Sequence, residues 1–127
     1  MTNDKLNPKL KVNYSAISDE NISNYFQYLI NRVYKALCLR DDYDETLGVY
    51  LDSLLIELKG SGSLISQLKN DPKFISLLST IQYLSENPNE DKAVFKREIF
   101  KCINIIETIL GRYFGKEFKS KNKKGNN

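Results

Sequence analysis

The chain has 127 residues, of which 41% are hydrophobic and 28% charged, and its formal net charge is +3. This length fits one domain with a hydrophobic core of its own. The sequence contains no histidine and only two cysteines, Cys38 and Cys102. It therefore lacks the commonest general base and the commonest metal ligand, and a serine or cysteine nucleophile would have no imidazole to activate it. We expect a protein that is not an enzyme and that holds no cofactor or metal ion.

The sequence carries no membrane signal. Residues 1–14 lack the apolar region of a signal peptide, and no run of about 18 apolar residues predicts a membrane span. Two separated cysteines without a secretory signal favour a reducing compartment. These features predict a cytoplasmic protein that makes no contact with a membrane.

The first predicted element is a helix that begins after a loose N-terminal segment. Residues 1–17 are predicted to be flexible, because apolar side chains are thinly spread there and Pro8 interrupts them. Ser18 is a suitable N-cap for the helix that follows. Apolar residues then recur at helical spacing and predict that the helix ends near Leu39.

The second helix is predicted from an acidic turn to a glycine. Asp42 or Asp44 is expected to cap its start, and Gly60 is expected to end it. Residues 60–63, two glycines alternating with two serines, then predict a flexible joint. A short helical piece is predicted at residues 64–68.

Two further helices are predicted from clear start and stop signals. Asp71 followed by Pro72 combines an N-cap with a proline at the first helical position. The third helix is expected to run to about Glu86, where an Asn-Pro-Asn sequence breaks it. The last helix is predicted from about residue 90 to Phe118, which would make it about 40 Å long and longer than its neighbours.

These elements predict an all-α fold, a bundle of four principal helices plus one short helix. The short connections favour antiparallel neighbours. The bundle is expected to form a single domain over residues 18–118, between the flexible segment 1–17 and a disordered basic tail at 119–127. The lysines of this tail either add nonspecific affinity for nucleic acid or only keep the chain soluble.

Apolar residues also occur on the outer side of two helices. Val49 and Ile56 lie opposite the apolar stripe of the second helix, and a second apolar arc follows the main stripe of the last helix. A helix with two apolar sides is either central in the bundle or contacts a partner. The candidates for an interface with a protein partner or a second copy are Val49, Ile56, Phe100, Ile103, Phe114 and Phe118.

The outer side of the first helix carries a polar surface with an aromatic residue. Tyrosine and arginine are favoured at protein-binding hot spots, and they also contact the bases and phosphates of nucleic acids. An ordinary solvated surface is the alternative. The candidate residues on this side are Asn24, Tyr28, Arg32 and Lys35.

The sequence thus predicts a small non-enzymatic helical protein that acts by protein–protein interaction, as an adaptor, an inhibitor or a subunit. Its general character resembles that of bacterial or phage accessory factors, without a motif that assigns it to a family. The alternative is a nucleic-acid-associated regulator that uses the lysine tail and the outer side of the first helix. No helix-turn-helix pair is evident in the sequence.

Overall fold

The computed structural model describes residues 19–65 and 68–114. Within these ranges the chain forms helices and no strands, which confirms the all-α fold. The helices are α1 (Asp19–Asp41), α2 (Leu47–Leu64), α3 (Pro72–Glu86) and α4 (Lys92–Phe114). None of them is both long and apolar enough to cross a membrane.

The four helices form an antiparallel bundle in which each helix packs mainly against two others. Helix α1 lies against α2 and α4, and α3 lies against the same two helices from the other side. The order of the contacts shows the antiparallel arrangement, because Tyr25 near the start of α1 meets Ser61 near the end of α2. In the same way, Asp71 at the start of α3 pairs with Arg112 near the end of α4. Helices α2 and α4 are therefore diagonal to each other.

The core is built from the apolar stripe of each helix. Its largest fully buried side chains include Phe26, Phe74 and Phe95. Cys102 is buried among them, and burial raises the pKa of its thiol to about 12. Cys38 is exposed.

The start of α3 follows the sequence prediction, whereas the start of α2 does not. The Asp71 carboxylate accepts a hydrogen bond from the backbone N–H of Lys73 at 2.8 Å. The prediction that Asp42 or Asp44 caps α2 is wrong, because this helix begins only after Thr46 and no side chain caps it. Asp44 instead accepts a hydrogen bond from the backbone N–H of Thr46 at 2.8 Å, which closes the preceding turn.

The prediction that Gly60 ends α2 and starts a flexible joint is also wrong. Helix α2 continues through both glycines of residues 60–63 and ends at Leu64. A Cβ atom at Gly62 would lie 3.0 Å from Cε2 of Phe74. The missing side chain of Gly62 therefore allows α3 to approach α2 closely. Neither Gly60 nor Gly62 ends the helix.

Some predicted elements cannot be placed in the described ranges. The short helix at 64–68 stays a prediction, since residues 66–67 lie outside the described residues; Leu64 itself belongs to α2. The segment 1–17, the Ser18 cap and the tail at 119–127 lie outside them as well. Helix α4 is described as far as Phe114, short of the predicted end at Phe118.

Candidate protein-interaction face

The outer side of α2 exposes two β-branched apolar side chains. Val49 is 73% exposed and Ile56 is 71% exposed. Their spacing of seven residues places them on one side of the helix, two turns apart. Because no described helix covers this side of α2, the alternative that α2 is a central helix does not hold.

The sequence predicts four residues on the outer side of α1, and three of them lie at the surface, on the side next to α2. Tyr28 is 45% exposed, and Asn24 and Lys35 are also exposed. Arg32 differs, since only 17% of its side chain is accessible. The expectation that Arg32 lies on the outer side is therefore wrong, because this side chain is turned toward α2.

Arg32 is held between α1 and α2 by partners on α2. Its guanidinium forms an ion pair with Glu57, whose side chain is 26% exposed. The Arg32 Nε donates to the Tyr50 hydroxyl at 3.3 Å, and the guanidinium carbon lies 4.8 Å from the centroid of the Tyr50 ring. The Tyr50 hydroxyl donates in turn to the Arg32 carbonyl oxygen at 2.8 Å. Arg32 thus joins two helices and is not presented to a ligand.

Two tyrosines of α1 complete this polar network. The Tyr25 hydroxyl donates to Glu57 Oε2 at 3.1 Å and lies 2.7 Å from the Ser61 hydroxyl. The Tyr28 hydroxyl donates to Glu57 Oε1 at 3.4 Å. Burial raises the pKa of Tyr25 to about 12. Sequence reasoning missed both Tyr25 and Glu57, although Tyr25, Tyr28 and Arg32 recur at the spacing of one helical stripe.

A pocket of about 430 Å³ lies beside this network, between the start of α1 and the end of α2. Gly60 is at its edge, where an added Cβ atom would meet nothing within 4 Å. The described residues that line the pocket are Asn21, Ile22, Tyr25, Glu57, Gly60, Ser61 and Ile65.

Uncharged residues form the centre of the exposed part of this region, which we call the α1–α2 face. From residue 21 to residue 34, α1 contains one charged side chain, Arg32, which is paired with Glu57. From residue 48 to residue 60, α2 contains three: Glu57, which is paired with Arg32, and the exposed Asp52 and Lys59. Depletion of charge around tyrosine is typical of the centre of a protein interface. The α1–α2 face consists of Asn24, Tyr28, Val49, Ser53, Ile56 and Gly60.

The remaining predicted interface residues do not join this face. The Phe100 ring is 45% exposed and packs edge-on against Tyr34 of α1, with ring centroids 6.3 Å apart. Ile103 is half-buried against the core. Phe100 therefore lies on the α1–α4 side of the bundle. Phe114 ends the described part of α4 without a described side chain, and Phe118 lies outside the described residues.

Neither a metal site nor a relative identifies this protein. Within residues 19–65 and 68–114, no group of three cysteine, aspartate or glutamate side chains is placed to hold a metal ion. No protein-family model matches the chain, and no curated protein or solved structure matches it.

Proposed function

We propose that this protein is a non-enzymatic binding protein whose α1–α2 face docks on a protein partner. The observation that supports it most strongly is the exposure of Val49 and Ile56, at 73% and 71%, on one side of α2. Exposed apolar groups of this kind gain free energy when a partner removes them from water, by about 25 cal/mol for each Å² buried. Tyr28 adds a half-exposed aromatic ring of the type that is enriched at binding hot spots.

The same face supports a protein partner better than a nucleic acid. Binding to nucleic acid draws most of its affinity from lysine and arginine on phosphates. The guanidinium of Arg32 is already bound to Glu57 and Tyr50, so Lys35 is left as the one exposed cation among the four predicted residues of α1. A partner with an uncharged, apolar surface fits this arrangement best, in keeping with a role as an adaptor, inhibitor or subunit.

Affinity capture from a lysate of the native host tests this proposal. The tagged full chain is compared with the double variant Val49→Asp, Ile56→Asp, which places two charges on the α1–α2 face. The matched control is Ala93→Asp, Asn104→Asp, which adds the same charge to exposed positions of the diagonal helix α4. Captured proteins are quantified by mass spectrometry with and without nuclease.

We expect one protein to be retained after nuclease treatment, to be lost with the α2 variant and to be kept with the α4 control. Equal retention by both variants would show that the partner docks elsewhere. Loss of all capture after nuclease treatment would favour the nucleic-acid alternative. A second copy as the partner would show as a concentration-dependent dimer of the purified protein in sedimentation velocity, again abolished by the α2 variant alone.

A further inference from the structure

We infer that the pocket between α1 and α2 is a binding site for a neutral aromatic side chain, a tyrosine or tryptophan presented by the protein partner. This inference rests on the proposed function and names the group that would anchor the partner. Apolar pockets with a few convergent polar groups are the usual form of a binding site, with volumes of about 300–1,000 Å³. At about 430 Å³ the pocket falls within this range.

The walls of the pocket suit an aromatic ring. Ile22 and Ile65 supply apolar surface, and the half-buried Tyr25 supplies a ring face. Tyr25 already packs against Tyr28, with ring centroids 5.8 Å apart. A further ring in the pocket would add to this aromatic cluster, and aromatic pairs gain more than their buried area alone provides.

The polar rim selects a neutral ring that carries a hydrogen-bond donor. A carboxylate has about four acceptor positions. Arg32 and Tyr28 bind Oε1 of Glu57, and Tyr25 binds Oε2. One acceptor position therefore remains for the O–H of a tyrosine or the N–H of a tryptophan. Because Arg32 already matches the charge of Glu57, the pair gives no net attraction for an acidic or a basic group.

Gly60 keeps the pocket open because it has no side chain. Packing between the described helices does not explain why a glycine occupies this position. A glycine inside a helix lowers its stability by up to about 1 kcal/mol relative to alanine. The other two glycines of α2 have neighbours that explain them, since a Cβ atom would meet Phe74 at Gly62 and Pro88 at Gly48. At Gly60 it would meet none of the described residues within 4 Å. A ring presented by the partner would use the space that the missing side chain leaves.

A titration of the full chain with side-chain analogues tests the assignment. The probes are p-cresol and indole, which represent tyrosine and tryptophan, and toluene, which has no hydrogen-bond donor. Binding is followed by ¹⁵N nuclear magnetic resonance. We expect shifts confined to the amides of Ile22, Tyr25, Gly60 and Ile65, with p-cresol binding about 3- to 10-fold more tightly than toluene because of one added hydrogen bond.

Two substitutions at Gly60 provide the variant and its control. Gly60→Phe should fill the pocket and weaken p-cresol binding by about tenfold or more, the equivalent of about 1.4 kcal/mol. Gly60→Ala should change it less than threefold. Circular dichroism of both variants checks that they fold, which the open space at this position leads us to expect.

Several results would overturn the inference. One is that about 10 mM probe shifts no amide signal. Others are that the shifted amides lie outside the pocket, or that Gly60→Phe binds p-cresol as tightly as the unchanged protein does. Nuclear Overhauser contacts from the Tyr25 ring to residues 1–17 of the same chain would assign the pocket to the chain's own N-terminal segment. Such contacts between copies would assign it to a dimer.

The lysate capture separates this inference from the proposed function. If Gly60→Phe still retains the partner that Val49→Asp, Ile56→Asp loses, the α1–α2 face binds the partner and the pocket is not its anchor. If Gly60→Phe and the double variant at Val49 and Ile56 both lose the partner while Gly60→Ala retains it, the face and the pocket act together.

Discussion

The same glycine-to-alanine substitution at two positions of α2 should change stability in opposite directions. Alanine is favoured over glycine in a helix by about 0.8–1.0 kcal/mol, and by less near a helix end. At Gly60 an added Cβ atom meets open space. Since α2 ends at Leu64, one turn later, we expect Gly60→Ala to raise the free energy of unfolding by about 0.5–1 kcal/mol.

At Gly62 the same helical gain is opposed by a steric contact. The added Cβ atom would lie 3.0 Å from Cε2 and 3.7 Å from Cζ of Phe74. The Phe74 ring is 1% exposed and is surrounded by the core, so it has little room to move. Overpacking of this kind typically costs about 1–3 kcal/mol. The net effect of Gly62→Ala is therefore a loss of about 0–2 kcal/mol, and the two variants should differ by about 0.5–3 kcal/mol.

Equilibrium unfolding in urea, followed by circular dichroism at 222 nm, measures this difference. The dependence of the unfolding free energy on urea should be the same in both variants, since neither changes the surface exposed on unfolding. As a control, Gly62→Ala should cost less in a Phe74→Leu background, because the opposing ring is gone. If Gly62→Ala stabilised the protein as much as Gly60→Ala does, the close approach of α3 to α2 at this position would be refuted.

Three further predictions test the core and the polar network. At pH 8 a thiol reagent should modify one thiol per native chain, that of Cys38, because burial raises the pKa of Cys102 to about 12; two thiols reacting at equal rates would contradict the buried position. A double-mutant cycle with Arg32→Leu and Glu57→Gln should give a coupling of about 1–2 kcal/mol, between the values for exposed and for buried ion pairs. Both side chains are partly exposed, at 17% and 26%, and a coupling near zero would show that the pair does not hold α1 to α2. Burial raises the pKa of Tyr25 from 10.0 to about 12, so its contribution to stability is fully present below pH 10 and is lost as the pH rises to 12. Between pH 10 and 12 the Tyr25→Phe variant should therefore lose about 1 kcal/mol less unfolding free energy than the unchanged protein, a value discounted for the half-exposed position of Tyr25. An equal loss in both proteins would contradict this expectation.

The helices could be predicted from the sequence because each depends on local signals. The spacing of apolar residues and the Asp71-Pro72 pair are sufficient to place α3. The prediction of a flexible joint is wrong at Gly62 because a glycine in a loop and a glycine that admits a neighbouring ring look alike in one sequence. Only the position of Phe74, which is distant in the chain from Gly62 until the bundle forms, separates the two cases.

The candidate face could be predicted only in part for a similar reason. The seven-residue spacing of Val49 and Ile56 is enough to place them opposite the core stripe. Arg32 points either to water or to another helix, depending on the side of α1 against which α2 packs. Helical spacing alone does not contain that information. The pairing of Arg32 with Glu57 and the pocket beside Tyr25 both arise from this packing.

Hydrogen–deuterium exchange of the full chain, alone and bound to its captured partner, shows whether the partner docks on the α1–α2 face. Binding should slow exchange in peptides that cover residues 21–32 of α1 and 49–60 of α2, and should leave residues 93–104 of the diagonal helix α4 unchanged. Slower exchange confined to α4, or none within α1 and α2, would contradict the account.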